Sequence, residues 1–363
     1  MKKQLFIILG FFCVSLSFSY SQDKNVAAGG MNFFEGSLPD VLNAAKEQNK
    51  YIFVDAFTDW CKPCKWMAAN VFPNEEAGRF YNENFIVYKL DMEKGEGIDF
   101  AQKYEVRSYP SYLFFDPQGE LVHRSVGSKP VEMFIEDGKN ALNPDKQFYA
   151  LQKKYDAGDR SENLLYNYAF ALSSANRGQL EIAEVASAYL NTQKKEDLTS
   201  EKNWNVIDKL LYDINSSAFK YLEENKDKFA ARYGEDNVNR KILITKIEYN
   251  SDVGNWTWFA KALPEFAEKY AWNSWDMLNE FAWSIYENID DKEILMSAEK
   301  WIVRSIELEK NYYNTDTYAA ILYKLGKHKK ALKYANEAIE LAKASNIDYK
   351  GTQELIEKIK KKK

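Results

Sequence analysis

Trp60-Cys61-Lys62-Pro63-Cys64-Lys65 sets two cysteines three positions apart. Two intervening residues bring both sulfurs into the first turn of a helix, where they can close into a disulfide and reopen. That chemistry needs a thiolate that attacks and a second thiol that resolves. A tight pair of this kind favours redox or metal roles. A structural staple is the weaker reading, because closing so short a loop restrains an unfolded chain little. Metal binding is poorly supported, since the only two histidines, His123 and His328, stand far apart and outside any ligand spacing.

The pair needs elements to hold it. Tyr51 to Phe57 is a short apolar run of strand formers, ending just before the cysteines. From Cys61 to Asn82 the pattern is helical, with Pro73 predicting a kink or break. Leu38 to Lys50 has apolar residues at helical period. Phe85 to Leu90 reads as a second strand and Ile98 to Tyr104 as a short helix. Ser111 to Phe115 and Glu120 to Ser125 read as a hairpin turning at Asp116-Pro117-Gln118-Gly119. Pro130 to Leu142 closes the series as a helix, with Pro130 in its first turn. Alternating strands and helices predict an α/β domain.

After Asn143-Pro144 the strand signal nearly vanishes, and amphipathic segments such as Leu164 to Ser174 and Gln179 to Leu190 follow. Near the end, Ala298 and Ser305 are echoed by Ala331 and Ala338, displaced by 33 residues, with Gly326 in a turn. Small residues at such positions let paired helices approach closely. The spacing resembles tetratricopeptide helix pairs towards residues 275–345, clearly over Tyr318 to Leu341 and loosely over Phe281 to Leu308, and the alternative is a generic helical array without repeat ancestry. The aromatics from Trp256 to Tyr286 read first as interior packing between helices, although helical arrays also present concave surfaces to partners.

The chain has 363 residues, enough for two domains. Its 49 basic and 54 acidic side chains leave a net charge of −5, so no nucleic-acid partner is expected. The final lysines, Lys358 and Lys360 to Lys363, read as a solvated helix end. The N-terminus reads as an export signal. Lys2 and Lys3 precede the apolar run Leu5 to Phe18, and Ser19-Tyr20-Ser21 is a small-x-small cleavage site. The run falls short of the ~20 residues that span a bilayer. Cys13 follows Phe12, where a lipoprotein signal would need a small residue. Cleavage after Ser21 leaves Cys61 and Cys64 as the only cysteines, in an oxidising compartment read as the periplasm.

Several separated features fall in one family's order: the WCKPCK run, Asp55 six residues before Cys61, Lys89 in the second strand, and Val106-Arg107-Ser108-Tyr109-Pro110-Ser111. Through them, residues 32–142 resemble thioredoxin-fold proteins. The resemblance is strongest to exported ones related to the C-terminal domain of the bacterial transmembrane disulfide reductase. It implies a thioredoxin fold, a central mixed sheet flanked by helices, over residues 32–143. An all-α, helical-repeat-like domain over 144–363 follows it, and residues 1–21 and 22–31 form the signal and a flexible lead.

Within that frame Cys61 sits at a helix N-terminus, where unpaired N–H groups and the dipole favour a thiolate. Lys62 adds positive charge. A depressed pKa and partial exposure are expected for Cys61, and deeper burial for Cys64, the resolving thiol. The resemblance implies that Asp55 is a buried carboxylate moving a proton to or from Cys64, with Lys89 as its partner. It also implies a cis bond before Pro110, placing Pro110 against the sulfurs and freeing the Tyr109 backbone to pair with substrate. Trp60 and Pro63 are expected at the same substrate surface. Gly119 and Gly127 are assigned structural roles only.

The reading is an exported thiol–disulfide oxidoreductase, with the resemblance favouring reduction of protein disulfides. It needs no cofactor, an upstream thiol reductant, and a protein partner on the helical half. The alternatives are a disulfide oxidase or isomerase, and a periplasmic helical-repeat scaffold with a redox-inactive domain.

Overall fold

A computed structural model describes residues 29–345 and 347–361. The proposed signal segment lies outside the described residues. The chain divides into two compact units, Met1–Tyr149 and Ala150–Lys363.

Among its described residues the first unit is built on four strands, β1 (Tyr51–Phe57), β2 (Phe85–Asp91), β3 (Ser111–Phe115) and β4 (Leu121–Val126). Their spatial order is β2-β1-β3-β4. β1 runs parallel to β2 and antiparallel to β3, and β3 and β4 form a hairpin. The helices that accompany the sheet among the described residues are α1 (Leu38–Gln48), α2 (Lys62–Asn70), α3 (Glu75–Asn84), α4 (Glu96–Lys103) and α5 (Val131–Leu142). The mixed sheet flanked by helices is the thioredoxin fold that the resemblance implies.

Each strand sends alternate side chains to opposite faces, and the core divides accordingly. On one face Phe53, Tyr112 and Phe114 pack with Met67, Tyr81 and Phe134 of α2, α3 and α5. On the other, Ile52, Val54 and Leu113 pack with Val41 and Ala45 of α1 and Phe100 of α4. A fully buried aliphatic or Phe side chain contributes about 1.5–3 kcal/mol, so β1, buried on both faces, anchors the unit.

The helical run from Cys61 to Asn82 breaks at Pro73, as expected, into α2 and α3. Pro73 has no N–H to continue the ladder. Asn74 then caps α3, its Oδ1 accepting from the backbone N–H of Glu76 at 2.9 Å and of Ala77 at 3.1 Å. The hairpin turn falls where the residues place it. Asp116 Oδ1 accepts from the N–H groups of Gln118 and Glu120, both at 2.9 Å, and Gly119 takes φ +89°, which glycine adopts without strain.

The second unit is helical throughout its described residues. Trp275–Asn288 packs on Lys292–Leu308, and Tyr312–Lys324 on His328–Ala344. The four small residues singled out above, Ala298, Ser305, Ala331 and Ala338, are fully buried. Phe259, Phe266 and Phe281 are core residues, and Trp256, Trp258, Tyr270, Trp272, Trp283 and Tyr286 pack around that core.

Candidate redox site

β1 ends at Phe57, and the chain turns through Thr58 to Trp60 into α2. Cys61 is the N-cap residue. Its N–H donates to Thr58 O at 3.2 Å, and its Sγ accepts the N–H of Cys64 at 3.1 Å. Lys62 and Pro63 occupy the exposed first turn, where the missing proline N–H costs nothing. Cys61 and Cys64 are disulfide-bonded, with Cα atoms 5.3 Å apart.

The expected contrast in exposure is corrected. Cys61 is 2% exposed and Cys64 6%, so neither sulfur residue stands out in solvent. In the bonded state each sulfur has the other against it in place of solvent.

Trp60 is the exposed flank, 61% accessible. Its ring meets that of Tyr109 edge-to-face at 5.8 Å. Its Nε1–H donates to Glu93 Oε1 at 2.9 Å. The Tyr109–Pro110 peptide is cis, and Pro110 is buried. Trp60 and Tyr109 therefore form one aromatic wall, joining the cysteine turn to the Pro110 loop. Glu93 was not singled out in the sequence. It lies 33 residues from Trp60 in the short loop after β2, and only the fold brings the two together.

Asp55 is 1% exposed on the β1 face shared with Phe53. Burial pushes its carboxyl up to about 7, against the pull of the Lys89 charge. The register pairs Asp55 with Lys89, yet the two close no ion pair. The Lys89 ammonium instead lies 4.3 Å from the centre of the Phe57 ring. Asp55 Oδ1 has no hydrogen-bond partner among the described residues. Such a carboxyl is costly to ionise.

Asp55 belongs to a longer polar row that sequence reasoning missed. Its partner on β3 is Tyr112, and the partner of Tyr112 on β4 is Ser125. All three are buried, in a face that is mostly apolar and aromatic. Ser125 Oγ–H donates to Asp137 Oδ2 at 2.6 Å, and Asp137 pairs with Lys129. His123 is also buried, with its Nδ1 accepting the Phe148 N–H at 3.0 Å. Burial lowers its pKa to about 4, so it is a neutral core residue.

Residues 38–141 match the family of the thioredoxin-like domain. Thioredoxin-2 of Saccharomyces cerevisiae is 38% identical over 88 residues, 24% of this chain and 78% of that protein. The thiol:disulfide interchange protein DsbD of Pseudoalteromonas atlantica is 30% identical over 104 residues, 28% of this chain and 18% of that protein. Among solved structures, a disulphide-isomerase-like protein of Bacteroides thetaiotaomicron is 38% identical, covering 32% of this chain and 98% of that one, with a TM-score of 0.30. The chain spans about half, 48%, of other thioredoxins it matches, from Spinacia oleracea and Pyricularia oryzae. With its cysteine pair, mixed sheet and matched residues, this chain belongs to the thioredoxin-like family.

Proposed function

We propose that this protein is an exported thiol–disulfide oxidoreductase that reduces protein disulfides. The observation that carries the proposal is Cys61 Sγ at the start of α2, accepting the Cys64 N–H, on a β1–α2 unit whose strand holds the buried Asp55. A helix N-terminus offers partial positive charge and free N–H donors, which favour a sulfur anion.

In the reducing direction, the Cys61 thiolate attacks one sulfur of the substrate disulfide. A mixed disulfide forms and the other substrate sulfur leaves as a thiolate, which takes a proton. Cys64 gives its proton to the Asp55 carboxylate and attacks Cys61 Sγ. The second substrate sulfur leaves, and Cys61–Cys64 closes. Two electrons pass to the substrate, and an external thiol reductant returns them. A carboxyl poised near 7 can hold or release that proton at ordinary pH. Lys89 moderates its charge. The Trp60–Tyr109 wall, Pro63 and Pro110 form the substrate surface, where an extended segment can pair with the backbone beside Pro110.

The reductase direction rests on the family resemblance, and the periplasmic location on the N-terminal charge, apolar run and cleavage pattern. We assign residues 32–143 to the redox domain and 144–363 to a helical domain that engages a protein partner, tetratricopeptide-like over 275–345. A redox titration of the Cys61/Cys64 pair, with an insulin-reduction assay, tests the proposal. A reversible two-electron transition with turnover supports it. A pair that reductants cannot open refutes it.

A further inference from the structure

The polar row across the sheet ends in a buried ion pair. The side chains of Lys129 and Asp137 are 9% and 10% exposed. Lysine and aspartate are rarely so enclosed unless paired. A buried pair also adds little net stability, because desolvation offsets the Coulomb attraction. Its presence therefore calls for a reason other than stability.

The backbone around Lys129 supplies one. Gly127 N–H donates to Pro110 O at 2.8 Å. Lys129 N–H donates to Met67 Sδ at 3.3 Å, and Met67 follows Cys64 by one turn of α2. Residues 127–129 thus touch both the Pro110 loop and the cysteine helix. The Lys129 side chain fastens them to Asp137 on α5, and Ser125 of β4 holds the same carboxylate. Gly127 has φ +90° and no atom within 4 Å of where a Cβ would stand, so this segment turns beside open space.

We propose that Lys129 and Asp137 are positioning residues for disulfide exchange. Their ion pair holds residues 127–129 against Pro110 and α2, fixing the wall along which an extended protein substrate lies. The inference rests on the exchange activity proposed above. The pair acts through the binding of an extended chain, and not on the reacting sulfurs.

The test replaces the pair by apolar residues of similar size, K129M/D137L, in the full chain. Such replacements commonly leave a protein folded. The expected result is a KM for insulin raised roughly tenfold, about 1.4 kcal/mol of binding. The rate with the small disulfide 5,5′-dithiobis(2-nitrobenzoate) stays within about twofold. Unchanged kinetics with both substrates in the folded variant would overturn the proposal, as would an equal loss with both. A second arm needs neither activity nor the double variant. In the nearly isosteric D137N, hydrogen exchange at the Gly127 amide should accelerate at least tenfold while the β1 amides keep their protection. Unaltered Gly127 protection would overturn the proposal. Wild-type protein inactive on insulin would sink the exchange reading, and the amide measurement would still decide the clamp.

Discussion

Asp55 and Lys89 stand side by side on β1 and β2, yet no ion pair joins them. The lysine ammonium rests over Phe57, and the carboxyl keeps a buried oxygen with no partner among the described residues. An unpaired buried carboxyl prefers to stay protonated, and its charge becomes available only near pH 7.

This sets a pH dependence of stability. The folded-state pKa of Asp55 is raised from 3.8 to about 7. Between those values the folded protein holds a proton that the unfolded chain has lost, so stability falls as pH rises through that window. Above it, the penalty is on the order of 4 kcal/mol, from the shift at 1.36 kcal/mol per unit. D55N should therefore be the more stable protein at pH 8, and the difference should vanish below pH 4. Urea unfolding at both pH values measures this.

The same substitution should slow resolution. General-base help is worth on the order of 100-fold. D55N should accumulate the mixed disulfide, and the wild-type inflection near pH 7 should disappear from the rate of its collapse. Stopped-flow reaction of the reduced protein with a single protein disulfide follows that step.

Trp60 is held by Tyr109 and Glu93 with most of its surface in solvent. Truncating an exposed aromatic anchor costs about 1–2 kcal/mol of binding, a factor of roughly 5–30. W60A should raise KM for insulin by that factor and leave kcat nearly unchanged. E93Q should do less, because its amide oxygen can still accept the indole N–H.

Phe53 is fully buried and meets the rings of Tyr81, Tyr112, Phe114 and Phe134. F53A should cost about 3–5 kcal/mol, measured by denaturant unfolding. At moderate denaturant the variant should lose the sheet and the redox site together.

The cysteine turn, β1 and the hairpin were legible because their signals are local: spacing, strand formers and turn residues. β1 and β3 span the same residues in sequence and structure. The break at Pro73 was readable, but its outcome as two helices needed the Asn74 cap. The row Asp55–Tyr112–Ser125 was not legible. It depends on the register of three strands, and a one-residue slip would turn any member to the other face. Lys129–Asp137 and Trp60–Glu93 likewise join segments that only the fold brings together. The burial of Cys61 was not legible either, because spacing says nothing of how a closed pair is enclosed.

The most direct measurement captures the intermediate. With Cys64 changed to Ala, nothing remains to displace a substrate bonded to Cys61. The account predicts that C64A accumulates proteins attached through Cys61, seen as thiol-sensitive adducts that C61A/C64A lacks. Full-length C64A that is folded, reduced and exposed to disulfide-bearing proteins, yet forms no such adducts, would contradict it.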